Sequence, residues 1–213
     1  MTTADGQTKN KGNEGSKYKD PDYIRVTTAL GYIHYDPDNR LQKWSINKHK
    51  DFYEYQEGMR ISAERGSDVD NAIKCILEKK NFELKEELWP YIDAFRKWQE
   101  EWPFEVTDCD KEVHNEELKF VGTLDIRGKL KGKDVIIDIK TGRPLRNQDG
   151  TKKYEVFPKQ LWQTAAYRYA TGAEENWILR LFDDGAFKFV QDINYDNSLA
   201  IFKHGLSLAR LLK

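Results

Sequence analysis

The stretch VGTLDIRGKLKGKDVIIDIKTG, residues 121–142, holds the most informative chemistry in the chain. Side chains along a β-strand alternate between faces. Over 135–140 this puts Val135, Ile137 and Ile139 on one side, read as buried on a core. Ile136, Asp138 and Lys140 fall together on the other. Residues 120–126 form a second apolar, β-prone run that carries Asp125. Residues 130–134 read as the hairpin connection, with glycine supplying the turn, and the hairpin carries Asp125 toward Asp138. Carboxylates and an ammonium at interior strand positions cost free energy. Metal-assisted attack on a phosphodiester accounts for that cost. Two acidic oxygens hold a hard divalent cation, and a lysine one step away steers or deprotonates a water. Alone, an Asp-x-Lys pair is more often an exposed strand face carrying opposite charges.

A second polar constellation lies downstream. Pro158 is well placed to open a helix. On that helix Gln160, Gln163 and Tyr167 fall at i, i+3 and i+7 and form one polar stripe, while Leu161, Ala165 and Tyr169 pack elsewhere. The stripe is either a helix edge in solvent or a set of hydrogen-bonding groups aimed at phosphate or at the lysine. Trp162 reads as a buried residue locking the helix onto the sheet, with base stacking as the alternative.

Charge adds a location. The net charge is −1 over 213 residues, which argues against a uniformly basic nucleic-acid coat. Between Lys129 and Arg168, however, ten Lys and Arg stand against four Asp and Glu, a local balance of +6. Arg143, Arg146, Lys152 and Lys153 fall in a polar, glycine-containing loop just after the Asp-x-Lys strand. Such residues hold a phosphate backbone without reading its sequence, or form a solvated loop. No apolar run is long enough to span a membrane and the first residues are polar, so the expected location is the cytoplasm, or the host cytosol for a phage protein. Two cysteines, Cys75 and Cys109, are too few for an iron–sulfur cluster held by four thiolates, so none is expected. The four histidines are scattered without a zinc pattern.

Taken in order, Gly122-x-x-Asp125, Asp138-x-Lys140 and Gln163-x-x-x-Tyr167 resemble the RecB-type branch of the PD-(D/E)xK nucleases. Upstream, Val26-Thr27-Thr28-Ala29-Leu30, then Trp44, then Arg65-Gly66-Ser67-Asp68-Val69-Asp70 resemble the helical lead-in of phage-type RecB-like exonucleases, of which the mitochondrial genome maintenance exonuclease is a relative in style. The resemblance covers about residues 24–172. It implies that Asp125, Asp138 and the backbone carbonyl of Ile139 are ligands of magnesium or manganese, and that Lys140 positions or activates the attacking water. It further implies that Gln163 and Tyr167 support the site and contact DNA. Many members carry a histidine ligand where this chain has Asp70. Aspartate is itself a good oxygen ligand for a hard cation, and Asp68 is its neighbouring competitor. Glu117 reads as an auxiliary acid or a solvent charge. Arg143, Arg146, Lys152, Lys153, Gln160 and Arg168 are the candidate nucleic-acid contacts.

The expected fold is α/β, a restriction-endonuclease-like core whose central mixed sheet is flanked by helices, with an N-terminal helical elaboration. Residues 1–22 read as a flexible tail and 23–213 as one nuclease domain, with a helical lead-in over 23–102 and a catalytic core over 103–213. Thr27 or Thr28 reads as the cap of a short helix. Residues 50–80 read as a helical region loosened at Gly58 and Gly66, and 85–101 as an amphipathic helix. Residues 177–182 and 187–190 read as strands of a hairpin around Asp183–Ala186. The implied activity is metal-dependent DNA hydrolysis, most simply by an exonuclease on single- or double-stranded DNA with a free end, in recombination, repair or replication. A recombinase or single-strand-binding protein is a conceivable partner, and no membrane is involved. The alternatives are an endonuclease of the same fold, of restriction or junction-resolving type, and a catalytically silent DNA-binding module.

Overall fold

The computed structural model describes residues 16–33 and 52–213; Trp44, His34 and His49 lie outside the described residues. The alternation seen over 120–140 builds the middle of a six-stranded mixed sheet. Its hub is β3 (Phe120–Leu130). Strand β2 (Phe104–Asn115) runs antiparallel along one edge of it. The other edge is shared: β1 (Ile24–Arg25) pairs in parallel with Phe120 and Val121, and β4 (Lys133–Gly142) pairs antiparallel with residues 126–130. Beyond β4 come β7 (Glu175–Phe182), parallel to it, and β8 (Phe187–Gln191), antiparallel to β7.

Local chemistry explains the connections. The β3–β4 turn is Lys131-Gly132, both at positive φ (50° and 83°), the backbone signature of a tight two-residue hairpin turn. The parallel β4–β7 pair needs a crossover. It runs through a ribbon, β5 (Leu145–Arg146) paired with β6 (Lys152–Lys153), and then through α4 (Pro158–Thr171). That helix starts on proline and stops at Gly172 with φ 71°, as the N-terminal-proline, C-terminal-glycine asymmetry predicts.

Helices cover both faces. On one side α2 (Phe52–Leu77) and α3 (Trp89–Glu101) pack Val69, Ile73, Tyr91, Ile92, Phe95 and Trp98 onto Ile126, Ile137, Ile139 and Leu179. On the other side α1 (Val26–Gly31), α4 and α5 (Tyr195–Leu211) pack Val26, Trp162, Tyr167 and Phe202 onto Phe120, Leu124 and Ile136. The expected mixed sheet flanked by helices is therefore the observed architecture. Trp162 is buried in the second of these layers, as the simpler reading had it.

Three expectations change. Helix α2 runs unbroken through Gly58 and Gly66. A glycine weakens a helix by only about 1 kcal/mol, and the buried seam of Val69, Ala72 and Ile73 outweighs that. Thr27 and Thr28 lie inside α1, exposed, rather than capping it; Arg25 stands at the N-cap without a side-chain bond. Residues 16–22 of the expected tail fold onto the sheet. The Lys17 N–H donates to Glu112 Oε1 at 2.8 Å, and the hydroxyls of Tyr18 and Thr123 lie 3.0 Å apart. Polar composition hid this segment because hydrogen bonds and one tyrosine, not an apolar period, hold it.

Gly128 marks the closest approach of β2 and β3. A Cβ built there meets the carbonyl oxygen of Glu105 at 2.0 Å, beside the register shift between Val106 and Asp108. Gly128→Ala should destabilise the protein by about 1–3 kcal/mol, because backbone rather than a mobile side chain must give way. Urea unfolding checks this, and a midpoint equal to wild type would mean that the two strands lie further apart.

Candidate active site

The partners of β3 leave part of its edge uncovered. Strand β1 pairs with β3 as far as Val121, and the pairing of β3 with β4 starts at Ile126, so residues 122–125 border a notch between them. Regular alternation also breaks here. Leu124 and Ile126 would share a face in an ideal strand, yet Leu124 packs with α1, α4 and α5 while Ile126 packs with α2 and α3. The ladder with β2 skips the Asp110–Asp125 pair, and Asp110 sits at φ 51°. Such irregularities re-aim a side chain. The one re-aimed is Asp125, whose Oδ2 accepts the backbone N–H of Ile139 at 2.7 Å, across the gap where the β3–β4 ladder has ended. A residue's N–H and C=O leave a strand on the same edge. The carbonyl of Ile139 therefore also faces the notch.

Asp138 is fully buried, with 0% of its surface exposed. Lys140 Nζ lies 2.6 Å from its Oδ2, an ion pair by distance. The Oδ1 of Asp138, however, meets no donor among the described residues. Burial dominates the charge of Lys140 and pushes the Asp138 carboxyl up to about 7, with Asp125 and Asp70 adding to the rise. Burial likewise raises Asp125, against the opposing pull of Lys140 and the Ile139 N–H. For Lys140 burial acts downward, but Asp138 and Asp125 outweigh it and hold the ammonium above the ordinary lysine range.

Asp70 joins the same field from α2. Its surface remains open to solvent, yet neighbouring atoms crowd it enough that desolvation, followed by the charge of Asp125, pushes its carboxyl up to about 7. Asp68, two residues away on another face of the helix, pairs instead with Lys85 at 3.2 Å. Among the described residues, no three His, Cys, Asp or Glu side chains close into a metal-holding group by themselves.

From the opposite layer comes α4. Tyr167 is buried, and its ring lies where a Cβ on Gly122 would be, 2.5 Å from Cε1. The glycine of the Gly-x-x-Asp motif thus admits the tyrosine of the Gln-x-x-x-Tyr motif. Gln163 Nε2 donates to the Tyr167 hydroxyl at 2.9 Å. Burial, then the nearby charge of Asp138, pushes that phenol well above the usual tyrosine range.

The candidate contacts for nucleic acid divide. Gln160 uses its Oε1 to accept the Phe157 N–H at 3.0 Å, which caps α4. Arg168 turns to the carbonyl of Ala173 at 3.2 Å and stacks 3.8 Å from the Tyr195 ring centroid. These two hold the ends of α4 and its loop, a local role that helical spacing could not reveal. Arg143, Arg146, Lys152 and Lys153 are exposed, the last three on the β5–β6 ribbon where an irregular loop was expected. Arg143 pairs with Asp183 at 3.1 Å and Lys152 with Asp184 at 2.7 Å; Lys153 pairs with Glu155. Glu117 is exposed and meets Tyr169, which fits a surface charge. Sequence reading missed Arg180, which β7 brings into register with Lys140. An arginine inside an apolar strand was the available signal.

No family profile matches the chain, and no curated protein matches it. Solved structures do overlay on it with low identity. A candidate exonuclease from Eubacterium rectale is 13% identical with a TM-score of 0.49, over 99% of this chain and 86% of that one. The alkaline exonuclease of Laribacter hongkongensis, also solved with dAMP, is 12% identical with a TM-score of 0.46, over 90% and 89%. A phage-related exonuclease from Haemophilus somnus is 15% identical with a TM-score of 0.37, over 89% and 92%. At these values the likeness concerns the course of the chain, and the chemistry rests on the side chains above.

A carboxyl whose folded pKa exceeds its unfolded value of ~3.9 binds its proton more tightly when folded. Its contribution to stability is full below that value and is lost as pH rises through the folded pKa. With Asp138 pushed up to about 7, the stability of wild type relative to Asp138→Asn should fall steadily between about pH 4 and pH 7 in the presence of a chelator. Urea melts of both proteins across that range measure the difference, and a flat difference would contradict the buried, desolvated carboxyl.

Proposed function

We propose that the protein is a divalent-metal-dependent nuclease that hydrolyses DNA phosphodiesters, working as an exonuclease. The observation that carries this reading is Asp138: a fully buried carboxylate across the notch from Asp125, its Oδ2 2.6 Å from the Lys140 ammonium and its Oδ1 without a hydrogen-bond donor among the described residues. A buried carboxylate in that state is costly, and a hard cation is the partner that oxygen ligands of this kind satisfy. Asp138, Asp125 and the Ile139 carbonyl would hold magnesium or manganese, with Asp70 reaching in from α2. Two carboxylates and a main-chain oxygen leave further positions to water and phosphate oxygens, which suits a cation that keeps part of its hydration. When bound, the metal supplies Lewis acidity toward the phosphate and toward a water.

The remaining steps belong to the chain. Lys140, held as a charged ammonium, acts as a point charge that orients the attacking water or a phosphoryl oxygen. In that protonation state it positions rather than abstracts a proton. Gln163 and Tyr167 keep the floor of the notch in place through their mutual hydrogen bond and the contact with Gly122. Arg143 and the β5–β6 ribbon supply exposed cations at the C-terminal end of β4, where a phosphate backbone would be held without regard to sequence.

End-labelled linear DNA with magnesium or manganese is the direct test. Wild type should degrade it, a chelator should stop it, and Asp138→Ala or Lys140→Ala should each lower the rate by ~10³-fold, the scale of removing a preorganised electrostatic group. A circular single strand left whole beside a degraded linear one supports action from an end. Its cleavage would instead make the protein an endonuclease. Wild type and variants equally inert on DNA and RNA would overturn the enzymatic reading.

A further inference from the structure

Arg180 is an unusual cation. Only 7% of its surface is exposed, yet no carboxylate among the described residues lies within ion-pair distance of it. Its Nη1 donates to the main-chain carbonyl of Glu155 at 2.8 Å, and its buried Nε has no acceptor among the described residues. The guanidinium rests between two rings, 4.5 Å from the centroid of Phe157 and 5.4 Å from that of Phe182. Burial holds its pKa below the ordinary arginine range. A structural arginine in an apolar strand ordinarily meets a carboxylate.

Its surroundings point to an anion. Arg180 aligns with Lys140 across the parallel β4–β7 pair, so the two side chains share a face, one strand apart. It also occupies the space that a Cβ on Gly142 would need, 2.5 Å from Nη2. From the other face Tyr91 reaches the same residue and donates its hydroxyl to the Gly142 carbonyl at 3.2 Å. Arg65 lies over the Tyr91 ring at 5.9 Å and carries a second buried Nε without an acceptor. Arg143 follows Gly142 in the chain, and the charges of Arg65, Arg143 and Arg180 all act on the Tyr91 phenol. The acids answering them are Asp183, paired with Arg143, and Glu155, paired with Lys153. The cluster lies at the carboxyl ends of two parallel strands, where α/β sheets bind ligands.

We propose that Arg180, Arg65 and Arg143, gathered around Gly142 and Tyr91, form a phosphate subsite adjacent to the Asp125–Asp138–Lys140 notch. Resting on the nuclease reading, the subsite would take a phosphoryl group of the same strand that is cut. It would thereby set how far the strand extends past the scissile bond. An internal phosphodiester and a terminal monophosphate present the same anionic oxygens, and arginine forks fit either.

Binding without turnover tests this. Anisotropy of a short fluorescent oligodeoxynucleotide is measured in a chelator, with one phosphate at a time replaced by a neutral methylphosphonate, and with ends bearing or lacking a terminal phosphate. In wild type one position should cost ~10-fold or more in affinity, the scale of a charged hydrogen bond. In Arg180→Gln and in Arg65→Gln that position should lose its special cost, while the other phosphates keep theirs. Coupling at an internal position identifies a phosphodiester as the occupant, and coupling at an end identifies a terminal phosphate. Arg65→Gln, on a helix surface, serves where Arg180→Gln fails to fold, and Arg180→Lys should recover only part of the coupling because it keeps the charge without the fork. Equal cost at every phosphate in wild type and variants overturns the subsite while leaving the nuclease reading intact. Wild type that neither binds nor degrades DNA removes both.

Discussion

The hydrogen bond from the Ile139 N–H to Asp125 Oδ2 stands where a strand-to-strand bond would otherwise be. The β3–β4 ladder ends at the Ile126–Ile137 pair, and a side chain then satisfies the main chain of β4. A buried N–H left without an acceptor would cost about 1–3 kcal/mol, so the sheet can open at this point only because Asp125 answers it. That one substitution has several consequences. It turns the Ile139 carbonyl toward the gap. It holds Asp125 close enough to Asp138 for its charge to raise that acid's affinity for protons. It also leaves room for Tyr167 to enter from α4 beside Gly122.

The opening has an electrostatic cost that the rest of the fold carries. Two buried carboxyls and one ammonium share a small volume with Asp70 at its solvent side, and desolvation raises all three acids. Around them the sheet is thoroughly apolar: Val135, Ile136 and Ile137 expose nothing, and the helices of both layers close over them. A fold with less apolar burial would respond to an unsatisfied buried carboxylate by local opening. Here the burial on either side is large enough to hold the charges in place, a concentration of perturbed groups that marks functional sites.

What the sequence disclosed follows from which interactions are local. The alternation over 135–140, the glycine turn within 130–134 and the proline at the head of α4 are each set within a few residues; the structure has all three and narrows the turn to Lys131-Gly132. The break in alternation at Asp125 was not legible, because it depends on β2 across the sheet and on Asp110 in a left-handed conformation. The exposed cations after β4 looked like loop, since two-residue strands leave no period to read. Gln160 and Arg168 carried the right chemistry for a phosphate, but the nearest unsatisfied main-chain groups took them first. Asp70 and Asp68 were indistinguishable by spacing; the pairing of Asp68 with Lys85 and the nearness of Asp70 to Asp125 and Lys140 separate them.

Arg180 shows why a strand residue of this kind escapes notice. In Trp177-Ile178-Leu179-Arg180-Leu181-Phe182 one charge in an apolar run reads as an outward-facing residue at a sheet edge. The parallel pairing with β4, made through a helical crossover, turns that position inward and next to Lys140. Parallel strands joined this way are covered on both faces, so each polar residue within them must find a partner inside the protein or in a ligand. Asp138, Asn176 and Arg180 are the buried polar residues of β4 and β7. Asn176 is answered by Thr164 at 2.8 Å and Asp192 at 3.2 Å. Asp138, 2.6 Å from Lys140, and Arg180 lie on one face, and each keeps an atom without a hydrogen-bond partner among the described residues. The proposed cation and phosphate would answer one group of each sign on this single face of the sheet.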